Sequence, residues 1–198
     1  MALPAETLGA WASVGTAVVI GASAFAALIQ LRHMRAGNQL EALLALQRDF
    51  QRPDLQSALR YVQGQLAQKL EDPAYRRELE MTGFVDSSAH PELVVCNWFS
   101  EIGTLVKHGL VAEAPFMDLF ARLIVHCWAH VASAVAIMRR TRGDFQYHAF
   151  EYLAVRAARW VDAHPHGSMP RSFQRESLPD RWREADAAEG KTLTHERS

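Results

Sequence analysis

Residues 7–31 read TLGAWASVGTAVVIGASAFAALIQL, a run without Asp, Glu, Lys or Arg, set between Glu6 and the basic group Arg32, His33 and Arg35. A helix rises about 1.5 Å per residue and a bilayer's hydrocarbon layer is about 30 Å thick, so a helix of this length spans it. Two other readings compete. A cleaved signal peptide carries Lys or Arg ahead of an apolar core of about 7 to 15 residues. Here only Glu6 precedes a longer run, and Ala22-Ser23-Ala24 is the one feature that imitates a cleavage site. A buried core helix is the second rival, because half the segment is Gly, Ala, Ser or Thr. Its strongly apolar members are Leu8, Val14, Val18, Val19, Ile20, Phe25, Leu28, Ile29 and Leu31. At about −0.3 to −0.6 kcal/mol each they give an insertion energy of about −3 to −5 kcal/mol, favourable but modest.

Lys and Arg beside a span stay on the cytoplasmic side. Arg32 and Arg35 follow the run directly and Arg48 and Arg52 come next, so the expected topology is an inner-membrane anchor with its N-terminus outside and its main domain cytoplasmic. Trp11 is placed for the headgroup layer. Cys96 and Cys127 both lie in apolar helical patterns, which suits a reducing compartment. Charge is even along the rest: eight Lys or Arg against eight Asp or Glu in residues 32–90, seven against seven in 91–164, six against six in 165–198. No segment is a basic footprint, and nucleic-acid binding is disfavoured.

The remaining pattern is helical, with Pro and Gly at the breaks. Leu40, Leu43, Leu44 and Phe50 continue the first helix to Pro53, and Leu55, Leu59, Val62, Leu66 and Leu70 form one helix stopping near Asp72-Pro73. Residues 74–88 read as a partly ordered connection, with a short charged helical turn at Tyr75-Arg-Arg-Glu-Leu-Glu ahead of Gly83. A helix from Pro91 carries Trp98, Ile102 and Val106 and ends at Gly109. A longer one from Pro115 carries Phe116, Leu119, Phe120, Ile124, Cys127 and Val131 and ends at Arg139, Arg140, Arg142 and Gly143, the arginines suiting the negative end of the helix dipole. The last starts at Asp144 as N-cap and turns Phe145, Phe150, Leu153 and Trp160 inward. The expectation is all-α: external residues 1–6, a transmembrane helix at 7–31, an extended juxtamembrane helix and second helix at 32–88, a three-helix core at 89–164 and a flexible polar tail at 165–198 with a short turn near Trp182. That makes a cytoplasmic bundle of about five helices.

The run Asn97-Trp98-Phe99-Ser100-Glu101-Ile102-Gly103, followed by Leu105-Val106, Gly109, Phe120, Trp128, Arg139 and Tyr147-x-x-Phe150-Glu151, resembles a bacterial family known only as a domain of unknown function. The resemblance covers roughly residues 8 to 160. It implies an N-terminal membrane span joined to a cytoplasmic helical domain, and it brings no activity, cofactor or catalytic residue.

Four constellations remain. His126 and His130, four apart on a helix, project from one face about 6 Å apart, a spacing metal ions accept. Further ligands would have to come from Glu101, His108, His148 or Glu151, and the competing reading has the two histidines hydrogen-bonding across the bundle or facing water. Asn97, Glu101, Arg139 and Glu151 form a polar core or pocket, most simply an ion-paired helix contact, since an unpaired buried Glu is costly. Gly9, Ser13, Ala17 and Gly21 make a small-residue row that lets another membrane helix approach closely. Arg32 and Arg35, with Arg139, Arg140 and Arg142, are candidates for anionic lipid at about 1 kcal/mol each. Neither cysteine carries a catalytic signature. The function read from this is a membrane-anchored interaction protein, an accessory or scaffold subunit without catalysis. Its partners are membrane lipid and another transmembrane helix, its own copy or a larger complex, and it needs no cofactor. The alternative is a tethered metal-binding, small-ligand-binding or enzymatic protein built on His126 and His130.

Overall fold

The computed structural model describes residues 5–83, 85–170, 172–183 and 186, with backbone alone at 5–14 and 36. Among these residues every regular element is a helix: α1 (Ala5–Phe50), α2 (Pro53–Gly64), α3 (Leu66–Lys69), α4 (Pro73–Glu80), α5 (Glu92–Lys107), α6 (Glu113–Arg142) and α7 (His148–Ala163). The residues divide into two compact units, Met1–Pro165 and His166–Ser198. In the second, the described residues form turns: Asp186 N–H bonds the Trp182 carbonyl, and Arg181 stacks over the Trp182 ring at 5.4 Å.

The 46 residues of α1 make a rod about 69 Å long. From Gly15 to Arg35 it is exposed all round, including Val18, Ile20, Phe25 and Leu28 at 59–66 % exposure. Contact with the bundle begins only in the last turns, where Ala42, Leu43, Leu46 and Phe50 pack on the core. Leu40 and Leu44, expected on the inner stripe, face outward. Phe50 fixes the junction by its ring contacts with Trp98 (5.5 Å) and Phe120 (5.4 Å), and Asp49 accepts the Trp98 indole N–H at 2.8 Å.

The expected single helix over Leu55 to Leu70 is divided. Gln65 leaves helical geometry after Gly64, with φ −128°, and the short α3 redirects the chain so that Leu66 is still fully buried. The short helical turn expected at residues 75–80 within the connection is a helix of eight residues. The Asp72 carboxylate accepts the Ala74 N–H at 2.8 Å and Pro73 sits at the first helical position, two N-terminal signals that start α4. Tyr75 and Leu79, one turn apart, then pack inward. Six helices therefore follow α1.

α7 packs along both α5 and α6. Phe99 stacks on Phe150 at 4.7 Å and Trp128 meets Phe150 edge-on at 5.0 Å. α5 and α7 approach backbone to backbone at Gly103: a Cβ there would lie 2.8 Å from the Ala149 carbonyl carbon and closer still to its oxygen. α6 has the length and hydropathy of a membrane span, but 44 % of its most apolar window is buried against the other helices, whereas none of the α1 window is. The outer face of α6 also carries Arg122, His126 and Arg140. It is the central core helix of the bundle.

α7 begins at His148, four residues later than Asp144. Gly143, at φ +74°, turns the chain sharply after α6, and Arg139 Nε clamps the Gln146 carbonyl at 2.9 Å. The turn consumes Asp144 to Tyr147, so Phe145 points to solvent at 80 % exposure rather than into the core. Leu119 is likewise outside.

Gly103→Ala forces a methyl into the Ala149 carbonyl. Overpacking of this kind costs about 1–3 kcal/mol, so urea unfolding of the full chain in detergent should show a midpoint lowered accordingly. Gly64→Ala, which meets nothing within 4 Å, should leave it almost unchanged.

Candidate functional site

The histidines expected as a pair are adjacent, with ring centroids 4.4 Å apart, and His130 Nδ1 lies 2.9 Å from the His126 carbonyl. Among the described residues no third His, Cys, Asp or Glu joins them in a group able to hold a metal ion. Their positions differ in surroundings. His126 is exposed, while His130 is half-buried in the wall of a cleft.

The polar quartet does not form one pocket. Arg139 pairs with Glu151 at 2.7 Å between α6 and α7, and Asn97 Oδ1 accepts the Tyr147 hydroxyl at 3.1 Å. Glu101 is exposed and shares with Asn97 a cleft of about 290 Å³, also lined by Asp49, Arg52, Asp54 and Trp98 and apart from the Arg139–Glu151 pair. The basic end of α6 is turned largely to internal use. Arg142 donates to the Met81 carbonyl, Thr141 to the Glu80 carbonyl, and Arg140 lies 3.7 Å from the Glu80 carboxylate. These contacts clamp the end of α4. Arg32 and Arg35 stand exposed on α1, as do Ala17 and Gly21. The side chains of Trp11 and Ser13, and the environment of Gly9, lie outside the described residues, as do residues 1–4 of the expected external segment.

A buried polar network that sequence reading missed joins α2, α4 and the start of α5. Glu92 is completely buried and His90 is 2 % exposed. The Tyr75 hydroxyl lies 2.7 Å from both Glu92 oxygens, and the Tyr61 hydroxyl lies 3.0 Å from that of Tyr75. Tyr75 has one proton and gives it to the carboxylate, so Tyr61 donates to the Tyr75 oxygen. Burial and the neighbouring Glu92 push the Tyr75 hydroxyl far above its usual range, which holds it protonated as a donor. His90 Nδ1 is 3.1 Å from Glu92 and its Nε2 3.1 Å from Glu78, whose side chain reaches solvent. Both contacts are hydrogen bonds only if the network holds one proton beyond those of a neutral imidazole, on the ring or on a carboxylate. Glu92 also sits in the first turn of α5, where the helix dipole favours a negative charge.

Neither cleft is lined by Tyr75, His90 or Glu92. The network is a tie between helices, and what it can do chemically is hold and redistribute a proton. Its sequence signal was His90-Pro91-Glu92 ahead of a helix, opposite Tyr75 and Glu78 three apart on one face.

Both thiols are buried, and burial raises them, Cys127 to about 12. They are protonated at neutral pH and poor nucleophiles. An aromatic disulfide reagent should therefore leave both unmodified in the folded chain and titrate both in denaturant. Glu92→Ala strands His90 and Tyr75 in the interior and should cost about 3–5 kcal/mol. Tyr75→Phe, which removes one donor, should cost about 1–3 kcal/mol. Urea unfolding followed by circular dichroism reads both.

Comparison with curated proteins and with solved structures finds no match. The family comparison does: residues 17–160, from the exposed part of α1 to the last turn of α7, match the family described as Domain of unknown function (DUF4760). The matched stretch contains the buried network, both clefts and the Gly103 crossing, and the chain belongs to that family.

Proposed function

We propose that this chain is a membrane-anchored interaction protein, with the apolar part of α1 in the bilayer and the α2–α7 bundle held on the cytoplasmic side. The observation that carries the reading is the bare stretch from Gly15 to Arg35. Its apolar side chains have no protein cover at all. A contiguous apolar surface of that extent exposed to water marks a membrane or partner contact. Length and charge choose the membrane: the run has no charged residue until Arg32, and Arg32 and Arg35 follow where cytoplasmic basic residues stand.

The interaction role rests on two features. Ala17 and Gly21 lie exposed on α1, one helical turn apart, and a Cβ added at Gly15 or Gly21 would meet nothing beyond the helix itself within 4 Å. Such a surface admits a second helix at close range. The bundle supplies a rigid body joined to the anchor through Asp49, Phe50 and Trp98, so whatever α1 associates with is brought to the bundle. That is an accessory or scaffold role.

Alkaline carbonate extraction of membranes containing the full chain tests the anchor: the protein should stay with the pellet. Ile20→Arg adds about 2.5–3.5 kcal/mol at the centre of the span, most of its favourable insertion energy, and should move much of the protein to the supernatant. Release of the unaltered chain by carbonate would overturn the reading. Crosslinking within the membrane tests the pairing, which Gly21→Leu should reduce.

A further inference from the structure

A cleft of about 660 Å³ lies between α6 on one side and α3 and α4 on the other. Leu70, Ala129 and Ile137 give it apolar surface, and its charged and polar lining is Arg76, Arg140 and His130 together with one carboxylate, Glu71. Arg76 is held in place: its guanidinium donates to the Leu70 carbonyl at 2.6 Å, the one polar contact of that side chain among the described residues. A guanidinium has five N–H donors in a rigid fork, so most of them remain for a ligand. Arg140 has only the long 3.7 Å contact with Glu80. His130 is oriented too. Its Nδ1 faces the His126 carbonyl at 2.9 Å. A carbonyl only accepts, so Nδ1 carries the proton and the neutral ring presents Nε2 as an acceptor.

Two guanidiniums, one of them held in place, stand with a ring acceptor against the single carboxylate of Glu71, a balance that favours a ligand that is anionic and also donates a hydrogen bond. A carboxylate satisfies the arginines and has nothing to give the imidazole. The monoanion of a phosphate monoester has both, acceptor oxygens and a P–O–H, and it is the main form below its second ionisation near pH 6. We propose that this cleft binds a phosphate monoester with an apolar body, its oxygens held by Arg76 and Arg140, its P–O–H donating to His130 Nε2 and its body lying on Leu70, Ala129 and Ile137. The site lies wholly within the bundle, so the inference stands or falls independently of the anchor.

Calorimetric titration of the full chain in detergent with phenyl phosphate tests it. Saturable binding in the millimolar range or tighter is expected, stronger than inorganic phosphate because of the ring, with phenol giving none. Arg140→Gln should weaken binding at least about tenfold through loss of charge-assisted hydrogen bonds. Ser133 lines the same cleft and is exposed, so Ser133→Leu should block the site without disturbing the fold. Circular dichroism checks that both variants are folded. Soluble dihexanoyl phosphatidic acid separates the sources: displacement of phenyl phosphate at lower concentration identifies a lipid headgroup, and failure to displace it identifies a free phosphate ester. Absence of saturable phenyl phosphate binding, or binding unchanged in both folded variants, would overturn the proposal.

Discussion

The apolar faces of α5, α6 and α7 are turned toward one another, and little is left to cover α1. Phe99 on Phe150, Trp128 on Phe150 and the backbone approach at Gly103 close the core on itself. Only the last turns of α1, ending at Phe50, find a place against Trp98 and Phe120. A helix whose apolar residues find no cover in the bundle leaves them for an apolar contact outside it, in line with the proposed anchor. The saturation of the bundle core and the bareness of α1 are thus one fact seen from two sides.

The same closure gives the buried network its character. Glu92 at zero exposure would be prohibitive alone. It is supported by the Tyr75 hydroxyl, the His90 ring and the first turn of α5, and His90 reaches on to Glu78 at the surface. α4 is thereby tied to α5 from one side, while Thr141 and Arg142 tie its end to α6 from the other. An eight-residue helix is too short to be stable by itself. Its order comes from these two attachments.

Those attachments also position the cleft that carries Arg76 and Arg140. Arg76 is on α4 and Arg140 on α6, 64 positions apart in the chain, and they share one cleft only because α4 is fastened between α5 and α6. The structural tie and the candidate ligand site therefore depend on each other.

Helix type, the breaks at Gly109 and Gly143 and the uncharged run of α1 were legible from composition and spacing, because each is set by local backbone chemistry or by transfer from water. The start of α7 was not. Asp144 is a sound N-cap by local rules, but the turn after Gly143 and the Arg139 contact with Gln146 prevail over it. α4 was legible only as a short helical turn, because eight residues carry too little periodicity to show what Tyr75 and Leu79 would pack against. By itself the sequence determined an all-α chain with an uncharged apolar run at residues 7–31. Only the tertiary structure decided that Glu101 and Glu151 stand apart, that Arg76, Arg140 and His130 meet, and that His90 and Glu92 share a dry interior. Contacts between residues far apart in the chain are chosen by packing geometry, which no local pattern encodes.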